Sequence, residues 1–237
     1  MNLKKIQSIA RRRLGLAGEV ELVQKDGPEG RILASSIETP PGEFRHVVVY
    51  SNAESLDPAD VYHEMSRARL YELGFRAIEN AALVALKDCS ADDPRHIFDA
   101  NSAIVIVAEV YSSYLLYSTF PEESEKRRQE IVLRFESQDA LTSLHTQMGF
   151  WGTAGIAYYR IGSEWAGKDF PSRQIKAAIH RASDGKTINE ELGKIESLLS
   201  QLPKMSTPPK EFTESEKLQI LSVVTQLFTA KTGIKCD

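Results

Sequence analysis

Between Asp99 and Glu122 the chain reads DANSAIVIVAEVYSSYLLYSTFPE, and Glu109 is the only charged residue inside that interval. A segment this apolar on nearly every side predicts a helix enclosed by the rest of the molecule. The five hydroxyl side chains between Tyr111 and Tyr117, together with the glutamate, predict a core helix and not a membrane span. The constraint goes beyond burial. An ionised carboxylate left alone in such surroundings costs on the order of several kcal/mol, so Glu109 must be paired, bound to a metal or protonated. The simpler alternative is that it marks the one exposed edge of the helix.

With 237 residues, 42% apolar and 26% charged, the chain is long enough for one large domain with an appendage. A net charge of −4 gives no general attraction to nucleic acid or to acidic membranes, so neither is expected as a partner. Arg11, Arg12 and Arg13 read as the solvated face of an N-terminal helix over residues 2–14, because no aromatic side chains interleave with them. The two cysteines, Cys89 and Cys236, stand far apart in sequence. That predicts neither a disulfide framework nor a cysteine zinc site, and makes a reducing cytoplasm the expected setting. The opening MNLKKIQSIARRRLG is amphipathic and lacks the apolar stretch of a signal peptide.

Strand patterns occupy residues 19–24, 31–38 and 44–50, and the turn chemistry of KDGPEG (25–30) predicts that the first two pair as a hairpin. After TPPG (39–42), the run FRHVVVY is short and rich in β-branched residues. His46 reads there as a strand-edge residue and not as a ligand. From Leu56 onward helices are expected over 57–75, 76–87, 99–120, 138–165, 171–183 and 189–202, with another opened by Pro121 and a polar loop at 90–96. The segment GFWGTAGIAYYRIG (149–162) has no strand before it and no Lys-Ser/Thr after it. It predicts a close helix contact or the wall of a groove, not a nucleotide loop. Residues 203–211 read as a linker, and Thr213 with Glu216 forms a capping box for a last helix over 214–230. The fold class is α+β, an N-terminal helix and a small three-stranded sheet packed on a mostly helical body. Residues 1–202 form the domain, and 203–237 form a linker and C-terminal helix.

One stretch carries candidate chemistry. DPADVYHEMSRARLYELGF (57–75) opens with a capping Asp57, Pro58 at the first helical position and Asp60 at the positive end of the dipole. It closes at Gly74, the residue best suited to a left-handed cap. His63 is followed by Glu64, and Arg67 lies one turn beyond His63 on the same face. His-Glu-Met-Ser-Arg differs at one position from His-Glu-x-x-His, in which two histidines one turn apart hold zinc and the glutamate is a general base.

From about Lys4 to Phe120, this order of N-terminal helix, small sheet, His-Glu helix and later glutamate-bearing helix resembles the gluzincin zinc metallopeptidases, in particular their small members. The resemblance implies a zincin-like fold and a metal site with His63 and Glu109 as ligands and Glu64 as the catalytic base. Ser112 resembles the serine that often follows the glutamate ligand, while Ser113 stands where an aspartate is common. Arg67 departs from the motif, because a guanidinium has no lone pair to donate and stays charged. Three outcomes follow. A substitute ligand, from His96, Asp99 or His145, could complete an active zinc-dependent peptide hydrolase. Otherwise zinc is lost and Arg67 pairs with Glu109, giving a degenerate pseudoenzyme that binds a peptide or protein partner. In the third, the resemblance is accidental and Arg67 is merely a solvated helix residue, which leaves a helical interaction module.

Overall fold

The computed structural model describes residues 3–26, 32–38, 43–51, 56–90 and 93–236. It is α+β with a mostly helical body. Helix α1 (Leu3–Leu14) precedes strands β1 (Glu19–Gln24), β2 (Ile32–Glu38) and β3 (Phe44–Tyr50). The helices that follow are α2 (Pro58–Leu70), α3 (Arg76–Ser90), α4 (Pro94–Thr119), α5 (Glu125–Glu136) and α6 (Gln138–Met148). After them come α7 (Phe150–Trp165), α8 (Ser172–Arg181), α9 (Gly185–Leu199) and α10 (Glu214–Thr232).

The apolar run does become the central helix. α4 packs against α2, α3, α7 and α10, and buries both faces between two apolar clusters. Its middle, with Ile106, Val107, Val110 and Tyr111, belongs to the larger cluster with α7, α9 and α10. Its end, with Leu116, Tyr117 and Phe120, joins Ile6, Ala10, Val61 and Met65 in a smaller cluster beneath α1 and α2. α4 starts earlier than its apolar pattern, because Asp93 caps the N–H of Arg95 at 2.8 Å and Pro94 sits in the first turn. His96, expected in a loop, is therefore helical.

Glycine decides two helix contacts. A Cβ on Gly162 of α7 would stand 2.7 Å from Ser113 Cβ of α4, and one on Gly152 would stand 2.8 Å from the Leu144 carbonyl oxygen of α6. The expected single helix over 138–165 is broken at Gly149, whose φ is 52°. Pro121 opens a turn, and α5 begins at Glu125. The capping box of Thr213 and Glu216 is present, and α10 buries Ile220, Val223, Val224, Leu227 and Phe228 in the larger cluster.

The sheet corrects the expected hairpin. Its order is β1-β3-β2, with β1 parallel and β2 antiparallel to β3. FRHVVVY carries the most continuous apolar run and takes the centre, whereas β1, with Glu19, Glu21 and Gln24, stays at an edge. Residues 27–30 of the expected turn and residues 39–42 lie outside the described residues.

His46 is also corrected, since it is fully buried in the central strand. Ser36 Oγ lies 2.7 Å from its Nδ1, and its Nε2 donates to Glu72 Oε1 at 2.9 Å. Glu72 further accepts from the backbone of Ala17 and Gly18 and from Arg69, which ties the sheet to the end of α2. Between α2 and α3 a π turn (Tyr71–Phe75) carries Gly74 at φ 95°.

The two cysteines overturn the expectation that they stay apart. α10 returns the chain to α3, and Cys89 is bonded to Cys236 across 147 residues, with their Cα atoms 5.6 Å apart. Sequence distance does not limit such a pair once the C-terminal helix docks on the body. Among the described residues, no helix is long and apolar enough to cross a membrane.

Glu72 makes the fold sensitive to acid. Burial alone would raise its pKa, but His46, Gly18, Ala17 and Arg69 together hold it down to about 2, against an ordinary 4.5. A folded pKa below the unfolded one gives stability that is complete above about 4.5 and is lost as pH falls toward about 2. Urea titrations should therefore show Glu72→Gln costing up to about 3 kcal/mol at pH 7, and the loss should shrink between pH 5 and pH 2. A pH-independent loss would contradict the assignment.

Candidate functional site

α2 is positioned by its start. Asp57 accepts the N–H of Ala59 at 2.8 Å, Pro58 fills the first turn, and Asp60 pairs with Arg127 of α5. This fixes the rotation of α2 against α4, so that His63 and Arg67, one turn apart, both face Glu109.

The geometry at Glu109 is a divided carboxylate. His63 Nε2 lies 3.0 Å from Oε2 and donates its N–H, since an ionised carboxylate only accepts. On the other oxygen, Arg67 Nε stands 3.6 Å from Oε1, and Arg67 Nη1 is 3.8 Å from Glu64 Oε2. Glu109 is 8% exposed, so it does not mark an exposed edge of α4. Burial would push its pKa up, but His63, then Arg67 and Arg127, outweigh burial and hold the carboxyl below its ordinary value. The same attraction works on the cation. Burial opposes charge on Arg67, yet Glu109 and Glu64 raise its pKa further.

The structure brings together four of the residues singled out in the sequence, His63, Glu64, Arg67 and Glu109, at one cleft of about 540 Å³. It does not bring the proposed substitute ligands there. His96 and Asp99 are on the same helix as Glu109, about 20 Å and about 15 Å away along its axis at ~1.5 Å per residue. Asp99 instead accepts from Trp151 Nε1 at 2.7 Å, and the His96 ring meets Phe228 edge-on. His145 lies 3.4 Å from Asp184 and 3.3 Å from Glu191. Ser112 donates to the carbonyl of Ala108, one turn back in its own helix, and Ser113 packs beneath Gly162. Neither serine orients His63.

One residue at the cleft carried no sequence signal. Arg127 stands within an ordinary basic run of α5 but reaches back to Asp60, with Tyr159 close by. Tyr158 and Tyr159 line the cleft from the glycine-and-aromatic segment of α7, and Gly155 beside them leaves its wall open. The expectations of a close contact and of a groove wall are both met by that segment, at different glycines.

The donor set does not fit a catalytic zinc, which takes three protein ligands and a water. His63 and Glu109 supply two, and the third motif position holds a guanidinium already turned toward Glu109. Among the described residues, no three His, Cys, Asp or Glu side chains are grouped to hold one ion. No protein-family model matches the chain, and neither a curated protein nor a solved structure matches it.

If Arg67 balances Glu109, the two should be energetically coupled. Arg67→Ala should lower the unfolding free energy by about 3 kcal/mol, the usual cost of leaving a buried charge short of its partner. In a Glu109→Gln background the same change should cost much less. Equal losses in both backgrounds, measured by urea unfolding, would show that the pair does not interact.

Proposed function

We propose that this chain is a metallopeptidase-like protein of the gluzincin type whose hydrolytic centre has become a charge-paired binding site, with Arg67 in place of the second zinc-binding histidine. The observation that supports it most is the division of the Glu109 carboxylate, one oxygen to His63 and the other to Arg67. In a metallopeptidase the corresponding glutamate is held by its metal. Here a long planar cation from the same helix face supplies that charge, as guanidinium–carboxylate geometry favours. Glu64, the counterpart of the general base, is also drawn toward Arg67 at 3.8 Å. On this reading the zincin-like core is kept for binding, and the partner is a peptide or protein engaged at the cleft.

One observation favours the second reading, an active zinc peptide hydrolase. The 3.0 Å between His63 Nε2 and Glu109 Oε2 is near the separation, about 3.3 Å, of two tetrahedral ligands at zinc distances.

Metal content separates the readings. Protein purified without chelator should hold far less than one zinc per chain and should show no peptide hydrolysis that depends on Glu64. Arg67→His should gain zinc, because it restores the missing donor beside His63 and Glu109. One zinc per wild-type chain, with hydrolysis abolished by Glu64→Gln, would overturn the proposal.

A further inference from the structure

The cleft over Glu109 extends beyond the ion pairs. Past His63 and Glu109 its lining is apolar, with Ile106, Ile131, Phe135 and Leu144. Val105 and Met148, also on its wall, are 42% and 50% exposed, so apolar surface is left facing the opening. Met148 and Trp151 are shared with a neighbouring pocket of about 470 Å³ that contains Phe98, which is 60% exposed. The apolar surface therefore continues from one pocket into the next, along the side of α4 that carries Phe98, Val105 and Glu109. A volume of about 540 Å³ suits a small molecule.

The charges of the lining are not evenly matched. Arg67 faces Glu109 and Glu64, and Arg127 is paired with Asp60. Arg134, the remaining cation on the wall, has no acidic side chain within 4 Å among the described residues. A guanidinium with a free face beside apolar walls selects a planar anion that it can hold through two parallel N–H donors. Glu64 and Glu109 line the same cleft, so a dianion would be repelled and a single negative charge is favoured.

We infer that the cleft binds a monocarboxylate with an extended apolar body, an acyl or aryl acid. Its carboxylate pairs with Arg134, and its body lies along Ile131, Leu144 and Met148 toward Trp151. The inference rests on the metal-free site of the reading above, since a resident zinc would compete with Arg134 for the carboxylate, but it puts a small acid, not a peptide, in this part of the cleft.

Gly155 provides a way to close the cleft. A Cβ there would meet only Tyr158 Cε1, at 4.0 Å, so the first atom of a larger side chain meets no clash as it enters the cleft. Calorimetric titration of the full chain with decanoate should show saturable binding at one site. Arg134→Gln should weaken it at least tenfold, Gly155→Leu should abolish it, and decylamine, with the opposite charge, should bind at least tenfold more weakly than decanoate. The inference is overturned if decanoate shows no saturable binding, if either variant binds it as the wild type does, or if decylamine binds as well. Zinc content is read separately. A zinc-loaded protein that still binds decanoate through Arg134 removes the pseudoenzyme reading alone, and a zinc-free protein that ignores decanoate removes this one alone.

Discussion

A carboxylate on a helix enclosed by apolar neighbours needs a positive partner, and most of the arrangement around Glu109 answers that need. His63 and Arg67 take one oxygen each, and Arg127 adds a further cation nearby. For α2 to present both side chains it must lie against α4 in one rotation. That rotation is fixed at its start by the Asp57 cap and the Asp60–Arg127 pair, and at its end by Glu72, which joins the helix to the sheet through His46. The site is thus held by charge pairing at its centre and by two polar anchors at its ends. The apolar clusters on either side of α4 supply the bulk of the stabilisation.

Under the function proposed above, the same constraint would let one substitution alter chemistry without collapsing the site. Zinc and a guanidinium both satisfy a buried carboxylate, but only zinc can activate a water for hydrolysis. With Arg67 in the motif the charge requirement is met inside the protein. The proposed ligand would then use the apolar extension of the cleft and Arg134, which has no acidic side chain within 4 Å among the described residues.

Much of this was legible in the sequence, because local rules decide it. The isolated charge of Glu109, the cap at Asp57, the glycine at position 74 and the capping box at Thr213 all act within a few residues of themselves. The i, i+4 spacing of His63 and Arg67 placed both on one face. What stayed hidden depends on partners distant in the chain. The order β1-β3-β2 follows from competition among strands for the central position. His46 is buried by Glu72 and Ser36 on other elements, and Cys89 meets Cys236 only once α10 docks. Arg127 looks like any basic residue on an amphipathic helix, and its pairing with Asp60 spans separate helices.

The central claim is that a guanidinium, not a metal, balances Glu109. Crystals grown with zinc and measured on both sides of its absorption edge test this most directly. The account predicts continuous density for Arg67 beside Glu109 and no anomalous peak between His63 and Glu109. A peak there, with Arg67 turned away from the carboxylate, would contradict it.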